Sequence, residues 1–164
     1  IHRESHYFLG NRYLLNVNEQ PGAARVEIRR KNQLDLFVPH GADAVQRERV
    51  LLAWYRKELK ARIPNLIDKW QAVTGAQVVD WGVKRMKTKW GSCNIEARRI
   101  WLNLELAKKP IQCLEYIIVH EMLHLLERHH NERFTDLMDR FMPSWRLYRD
   151  ELNRTPLGHE KWSY

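Results

Sequence analysis

Cysteine is scarce in this chain: Cys93 and Cys113 are the only two in 164 residues. Two thiols so far apart cannot make a disulfide framework or a four-cysteine zinc ribbon, and a reducing, cytoplasmic setting is expected. Long apolar runs are missing too. No stretch reaches the ~20 apolar residues that a membrane-spanning helix needs, so no membrane partner is expected. The start, Ile1-His-Arg-Glu-Ser-His6, is polar and carries no secretory signal pattern. It also lacks Met, so a trimmed chain is expected. There is no G-x-x-x-x-G-K-[ST] loop to cradle phosphates, no DNA-binding motif, no internal repeat and no low-complexity segment. The length suits one domain with a real core and a small appendage.

Acidic residues are the minority among the charges. Twenty Asp and Glu against 28 Lys and Arg leave a net charge of +8. Lys84, Arg85, Lys87, Lys89, Arg98 and Arg99 crowd one region. Such charge suits an anionic partner (nucleic acid, nucleotide phosphate or acidic peptide) or serves as a solvated face that keeps the protein in solution. The seven tryptophans are expected in the core or in groove walls, because indole carries a large apolar area.

Short alternating runs open the chain. Tyr7 to Val17 contains a turn at Gly10-Asn11, Arg25–Arg29 alternates, and Leu34–Val38 follows a polar turn at Lys31-Asn32-Gln33. This predicts an antiparallel β-meander ending at Pro39. Asp43 is a fair N-cap for a helix from about Ala44 to Lys60. Pro64 marks a break or restart before the helix continues to Val73 and ends at Thr74-Gly75. Gln77–Trp81 and Val83–Lys89 read as strands, Trp90–Asn94 as a loop around Gly91, and Arg99–Asn103 as a third strand. That third strand is the candidate edge for pairing with an extended peptide; an internal position is the alternative. Alternation over 83–89 sets Lys84 and Met86 on one face and Arg85, Lys87 and Lys89 on the other.

The informative segment is Ile111 to Glu127, an apolar helix holding His120-Glu121-Met122-Leu123-His124. On a helix, positions i and i+4 share a face, so both imidazoles can reach one metal ion. Zn²⁺ takes His nitrogen at roughly 2.0–2.1 Å and in catalytic sites keeps a position for water. Glu121 leaves the helix near the same face, where a general base for that water belongs. An H-E-x-x-H string also arises by chance on polar helices. Here the flanks Ile117-Ile118-Val119 and Leu125-Leu126 are apolar, and burying two His and a Glu costs several kcal/mol unless they are paired or metal-bound.

A third ligand is sought downstream. His130 lies ten residues after His120, the spacing of H-E-x-x-H-x-x-G-x-x-H enzymes, although Glu127 replaces the glycine. His129 is the rival, and Glu151 on a later helix is a further candidate. The stretch Glu132 to Phe141 reads as a helix with Phe134, Leu137, Met138 and Phe141 on one face, which would hold a preceding histidine rigidly. Cys93 as a fourth ligand would close the water position, and it reads better as a small buried residue.

Several blocks in order carry a resemblance: Arg85-Met-Lys-Thr-Lys-Trp-Gly-Ser-Cys-Asn94, Ile100-Trp-Leu-Asn-Leu104, Tyr116-Ile-Ile-Val-His-Glu-Met-Leu-His124 and His130-Asn-Glu-Arg-Phe134. Over about residues 43 to 150 the chain resembles the YgjP-like family of zinc metallopeptidases, which is related to SprT-like and WLM metallopeptidases. The resemblance implies a zincin fold with His120, His124 and His130 as zinc ligands and Glu121 as base.

The expected fold is therefore α+β and zincin-like. A small antiparallel sheet packs against the metal-binding helix in residues 41–164, after an N-terminal β-meander subdomain in residues 1–40. The expected function is a zinc-dependent metallopeptidase with Zn²⁺ as cofactor and a Glu121-activated water. Trp90, Gly91 and Ser92 are expected to wall the cleft, with Asn103 also beside the substrate. Ser92, Arg98 and Tyr148 are the candidates for steadying the oxyanion. Two alternatives are a metal-dependent nucleoside triphosphate phosphohydrolase and a nucleic-acid-associated protein with a secondary metal site.

Overall fold

The computed structural model describes residues 4–154 and Trp162. The polar start therefore lies partly outside the described residues, since 1–3 are not among them. β1 (Ser5–Phe8) and β2 (Asn11–Glu19) form an antiparallel hairpin. Its turn residues Leu9 and Gly10 both have positive φ, 48° and 83°, as a type I′ hairpin turn requires. The backbone N–H groups of Leu9 and Gly10 donate to the carbonyls of Ala107 and Lys108 at 2.9 and 3.1 Å. The hairpin thus docks just ahead of the H-E-x-x-H helix.

β3 (Arg25–Arg29) and β4 (Gln33–Val38) form a second hairpin, but the sheet is not the meander expected. Its order is β1-β2-β4-β3, and β2 runs parallel to β4, with Val17 opposite Leu36. The reason lies in β4. Leu34, Leu36, Phe37 and Val38 are all buried, and a strand buried on both faces belongs inside a sheet. The charged β3 takes the edge, where Arg and Glu deter further pairing.

α1 (Ala44–Thr74) begins at Asp43, which forms a capping box with Gln46, and ends at Gly75 in a left-handed conformation, φ 79°. The break expected at Pro64 does not occur. A mid-helix proline costs about 3 kcal/mol. Leu59, Ile63, Ile67 and Trp70 bury one continuous stripe across it, and that burial outweighs the lost hydrogen bond.

The second sheet holds β5 (Asp80–Lys84), β6 (Gly91–Asn94) and β7 (Arg99–Asn103), in the order β5-β7-β6. It departs from the sequence reading in four ways. Its first strand starts three residues later than Gln77. Residues 85–90 are irregular, so the alternation proposed for the lysines there does not apply. The Trp90–Asn94 loop is largely a strand. The sheet is mixed, because β5 is parallel to β7 and β6 antiparallel to it. β7 is consequently the central strand, its Ile100 and Leu102 fully buried, and β6 forms an edge.

A 3₁₀ turn (Leu104–Lys108) leads through Pro110 into α2 (Ile111–Leu123). Ten of the thirteen residues of α2 are buried, so it is a core helix, apolar nearly all round. It ends at Leu123, four residues short of expectation, where Leu125 and Leu126 bond back to Met122 and Leu123 in a tight turn. α3 (Glu132–Phe141), capped by Asn131, and α4 (Trp145–Arg154) are the last regular elements among the described residues. One core runs from the first sheet through α1 and α2 to Trp145 and Leu152. No helix among the described residues is long and apolar enough to cross a membrane.

Candidate metal centre

α2 carries His120, fully buried, and Glu121, 3 % exposed; His124 caps its end at 9 %. The turn that follows returns the chain so that His130 meets them. His124 Nε2 lies 2.8 Å from His130 Nε2, which lies 3.1 Å from His120 Nε2. The three donor nitrogens lie within 4.8 Å of one another. Bonds of 2.0–2.1 Å in tetrahedral geometry separate ligand nitrogens by about 3.3 Å. A shift of a few tenths of an ångström would therefore admit an ion, so the residues fit the metal that the motif suggests.

The electrostatics agree. Burial, followed by the neighbouring imidazoles, pushes the pKa of His120 well down. Burial likewise lowers that of His124. Burial and then His124 bring His130 to about 4. All three are neutral near pH 7, the state in which imidazole offers a lone pair. His124 Nδ1 lies 3.2 Å from the Glu127 carbonyl. Donation there turns the free pair of Nε2 toward the cluster, as metal-ligating histidines commonly do.

The missing glycine of the long motif has a simple explanation. Among the described residues no position from 124 to 131 has positive φ, so Glu127 passes through the turn without strain. Its carboxylate then accepts from Asn131 Nδ2 at 2.8 Å and Arg133 Nη1 at 3.2 Å. Asn131 in turn caps α3 through the Phe134 N–H at 3.0 Å. This bracing fixes His130. Phe134 packs against all three imidazoles, its ring centroid 4.9, 4.6 and 5.1 Å from those of His120, His124 and His130.

Glu121 Oε2 is 3.9 Å from His120 Nε2. Burial raises its pKa to about 8, and the Lys89 ammonium pulls it back down. Gly91 lies against it: a Cβ there would sit 3.0 Å from both Cγ and Oε2 of Glu121 and 2.7 Å from Ile117 Cγ2. Gly91 is thus glycine for want of space, not for a special turn.

The other candidates divide. Trp90 is buried, with Lys109 Nζ 5.7 Å over its ring. Ser92 is half-buried on β6, and alternation turns its side chain away from the face Gly91 presents to Glu121. Asn103 is fully buried and braces the 85–90 segment, donating to the carbonyls of Met86 and Lys89 at 2.9 and 2.7 Å. Arg98 is exposed at positive φ and donates to the Gln77 carbonyl at 3.4 Å. Tyr148 joins an aromatic wall, 6.5 Å from Tyr116. His129 is exposed and Glu151 pairs with Arg154 at 2.8 Å; neither belongs to the histidine cluster. Nor does Cys93, whose thiol is pushed up to about 12 by burial and by the charge of Glu121. Phe134 was expected on the helix face whose packing holds the third histidine, but not in contact with all three imidazoles. Lys89 and Tyr116 had no assigned role at the metal centre from sequence; of these two only Tyr116 left a signal, standing one helical turn before His120.

Residues 1–155 match the YgjP-like metallopeptidase domain, and the chain belongs to that family of hydrolases. No curated protein matches it. Among solved structures it is similar to the metallopeptidase zymogen of Pyrococcus abyssi abylysin. That likeness has a TM-score of 0.51 at 17% identity, over 55% of this chain and 90% of that one, and it concerns the fold. Family membership implies a peptide or protein substrate and lends nothing to the nucleotide and nucleic-acid readings.

Proposed function

We propose that the chain is a zinc-dependent metallopeptidase of the zincin type, with His120, His124 and His130 as ligands and Glu121 as general base. The observation that carries this is the convergence of three neutral imidazole nitrogens beside a buried carboxyl group. When bound, Zn²⁺ supplies Lewis-acid chemistry: it acidifies water and polarises a carbonyl. A positive ion beside Glu121 also lowers its pKa, adding to Lys89, so the carboxylate is available near neutral pH. Glu121 Oε2 then removes a proton from water as the water oxygen attacks the scissile carbonyl carbon. When the C–N bond breaks, Glu121 returns that proton to the leaving nitrogen.

The substrate backbone has a natural place along β6, rather than the β7 edge expected from sequence. The Asn103 N–H donates to the Trp90 carbonyl at 2.9 Å. With Gly91 opposite Leu102, this phase of the ladder directs the backbone groups of Ser92 to β7. Those of Gly91 and Cys93 face the open edge. An extended peptide pairing there would lie beside Glu121. Residues 41–164 would then form the catalytic unit, with the sheet of residues 1–40 supporting α1 behind it.

The test uses zinc-loaded and metal-stripped protein on a quenched-fluorescent peptide library and, in parallel, a nucleoside triphosphate panel. Zinc-dependent peptide cleavage is expected. Nucleotide hydrolysis without peptide cleavage would overturn the reading.

A further inference from the structure

Trp162 lies outside the regular elements, yet it is hydrogen-bonded at three points. Asn153 on α4 engages its backbone in both directions: Nδ2 donates to the Trp162 carbonyl at 2.6 Å, and the Trp162 N–H donates to Asn153 Oδ1 at 2.8 Å. The indole Nε1 donates to the Tyr116 hydroxyl at 2.9 Å. Tyr116 stands four residues before His120 on α2, on the same face. This places the indole 5.1 Å from the His120 ring, inclined at 59°. Phe134 stands at 4.9 Å and Tyr116 at 6.1 Å. Three aromatic rings thus wall one imidazole.

The consequence concerns exchange. For an ion to leave a histidine site, water or a competing ligand must reach it and an imidazole must rotate away. Packed rings oppose both, because the ring has no adjacent void to enter. Tyr116 and Phe134 belong to rigid helices. Trp162 is instead set in place by Asn153 and Tyr116, so its contribution can be removed without cutting into the buried core.

We propose that Trp162 is a positioning residue of the metal centre, which holds the His120 ring in place and slows release of the bound ion. This rests on the reading of the histidine cluster as a zinc site. Substitution of residues that support metal ligands commonly costs 10–100-fold in affinity, and a change of about 10-fold in release rate is expected here.

The experiment loads full-length protein with zinc and follows its transfer to excess chromogenic chelator. Trp162→Ala should release zinc about 10-fold faster than wild type. Asn153→Ala, which keeps the indole but loses the clamp, should follow it. Trp162→Phe should fall between them and wild type, because a ring remains without the N–H. Cobalt-loaded Trp162→Ala should show an altered visible absorption band, since the ligand field depends on how His120 is held. Leu34→Ala, in the core of the first sheet, serves as the control for general destabilisation. Release within twofold of wild type in both Trp162→Ala and Asn153→Ala would overturn the proposal. So would an equal acceleration in Leu34→Ala. Should Trp162→Ala not fold, Asn153→Ala decides alone. A wild-type protein that takes up no zinc would instead overturn the metal reading itself, and this inference with it.

Discussion

Adding one methyl group at Gly91 tests the geometry around the carboxylate most sharply. The new Cβ of Gly91→Ala would meet Ile117 Cγ2 at 2.7 Å and Glu121 Cγ and Oε2 at 3.0 Å. Comfortable contacts of this kind lie at about 3.5–4.0 Å. The strand and helix must therefore separate, or the carboxylate must swing, by roughly 0.5–1 Å. Ile117 is fully buried and has no room to retreat, so much of the shift falls on Glu121. Overpacking of this kind costs about 1–3 kcal/mol. At about 2–4 °C per kcal/mol for a chain of this size, Tm falls by roughly 2–12 °C. The effect on catalysis is larger, because misplacing a reacting group by 1 Å can cost about 100-fold. On a peptide that the wild type cleaves, kcat should drop about 100-fold, with one zinc per chain retained because the imidazoles are untouched. Ser92→Ala, whose side chain faces away, should stay near wild type. Steady-state kinetics, metal analysis and thermal melts on the three proteins decide the matter. A Gly91→Ala enzyme within twofold of wild-type kcat would refute the argument that this contact positions Glu121.

Glu121→Gln should keep fold and zinc while losing turnover, because the amide cannot take the proton; loss of zinc instead would place Glu121 in the ligand set. His130→Ala should abolish zinc binding and His129→Ala preserve it, read by metal analysis; the reverse pattern would exchange their roles. The metal-free protein should have a distinctive pH–stability profile by thermal melts. The histidines have folded pKa values below their ordinary 6.5, that of His130 being about 4. The unfolded chain therefore binds more protons as pH falls below 6.5, and stability drops there. Glu121, at about 8 against an ordinary 4.5, holds its proton longer when folded. Its contribution therefore declines as pH rises from about 4.5 and levels off above about 8. Three groups against one make stability rise toward pH 6.5, and Glu121 alone makes it decline from there toward 8. A metal-free melt flat from pH 5 to 8 would contradict both assignments. Lys89→Met should raise the pKa of Glu121, since its ammonium favours the carboxylate; an unchanged acidic limb of kcat/KM would exclude that coupling.

Local patterns with strong physical signatures were readable in the chain itself. The spacing of His120 and His124 on an apolar helix, the cap at Asp43, the stop at Gly75 and the amphipathic face of α3 each depend on residues within a few positions of one another. So does the return of His130 to that pair, since ten residues of chain are enough to turn back on the helix end. Tertiary contacts decided the rest. β4 entered the middle of its sheet because it is apolar on both faces, and Pro64 stayed helical because the stripe around it is buried. β6 became a strand beside Glu121 because Gly91 leaves room for the carboxylate, although the local sequence around Gly91 reads as a loop. Asn103 became a brace for the 85–90 segment, a role set by carbonyls fourteen and seventeen positions away. Trp162 reached His120 through Asn153 and Tyr116, which no short-range pattern connects. Nearest neighbours along the chain determine caps, turns and helical faces; which side chains share a site depends on how the elements pack.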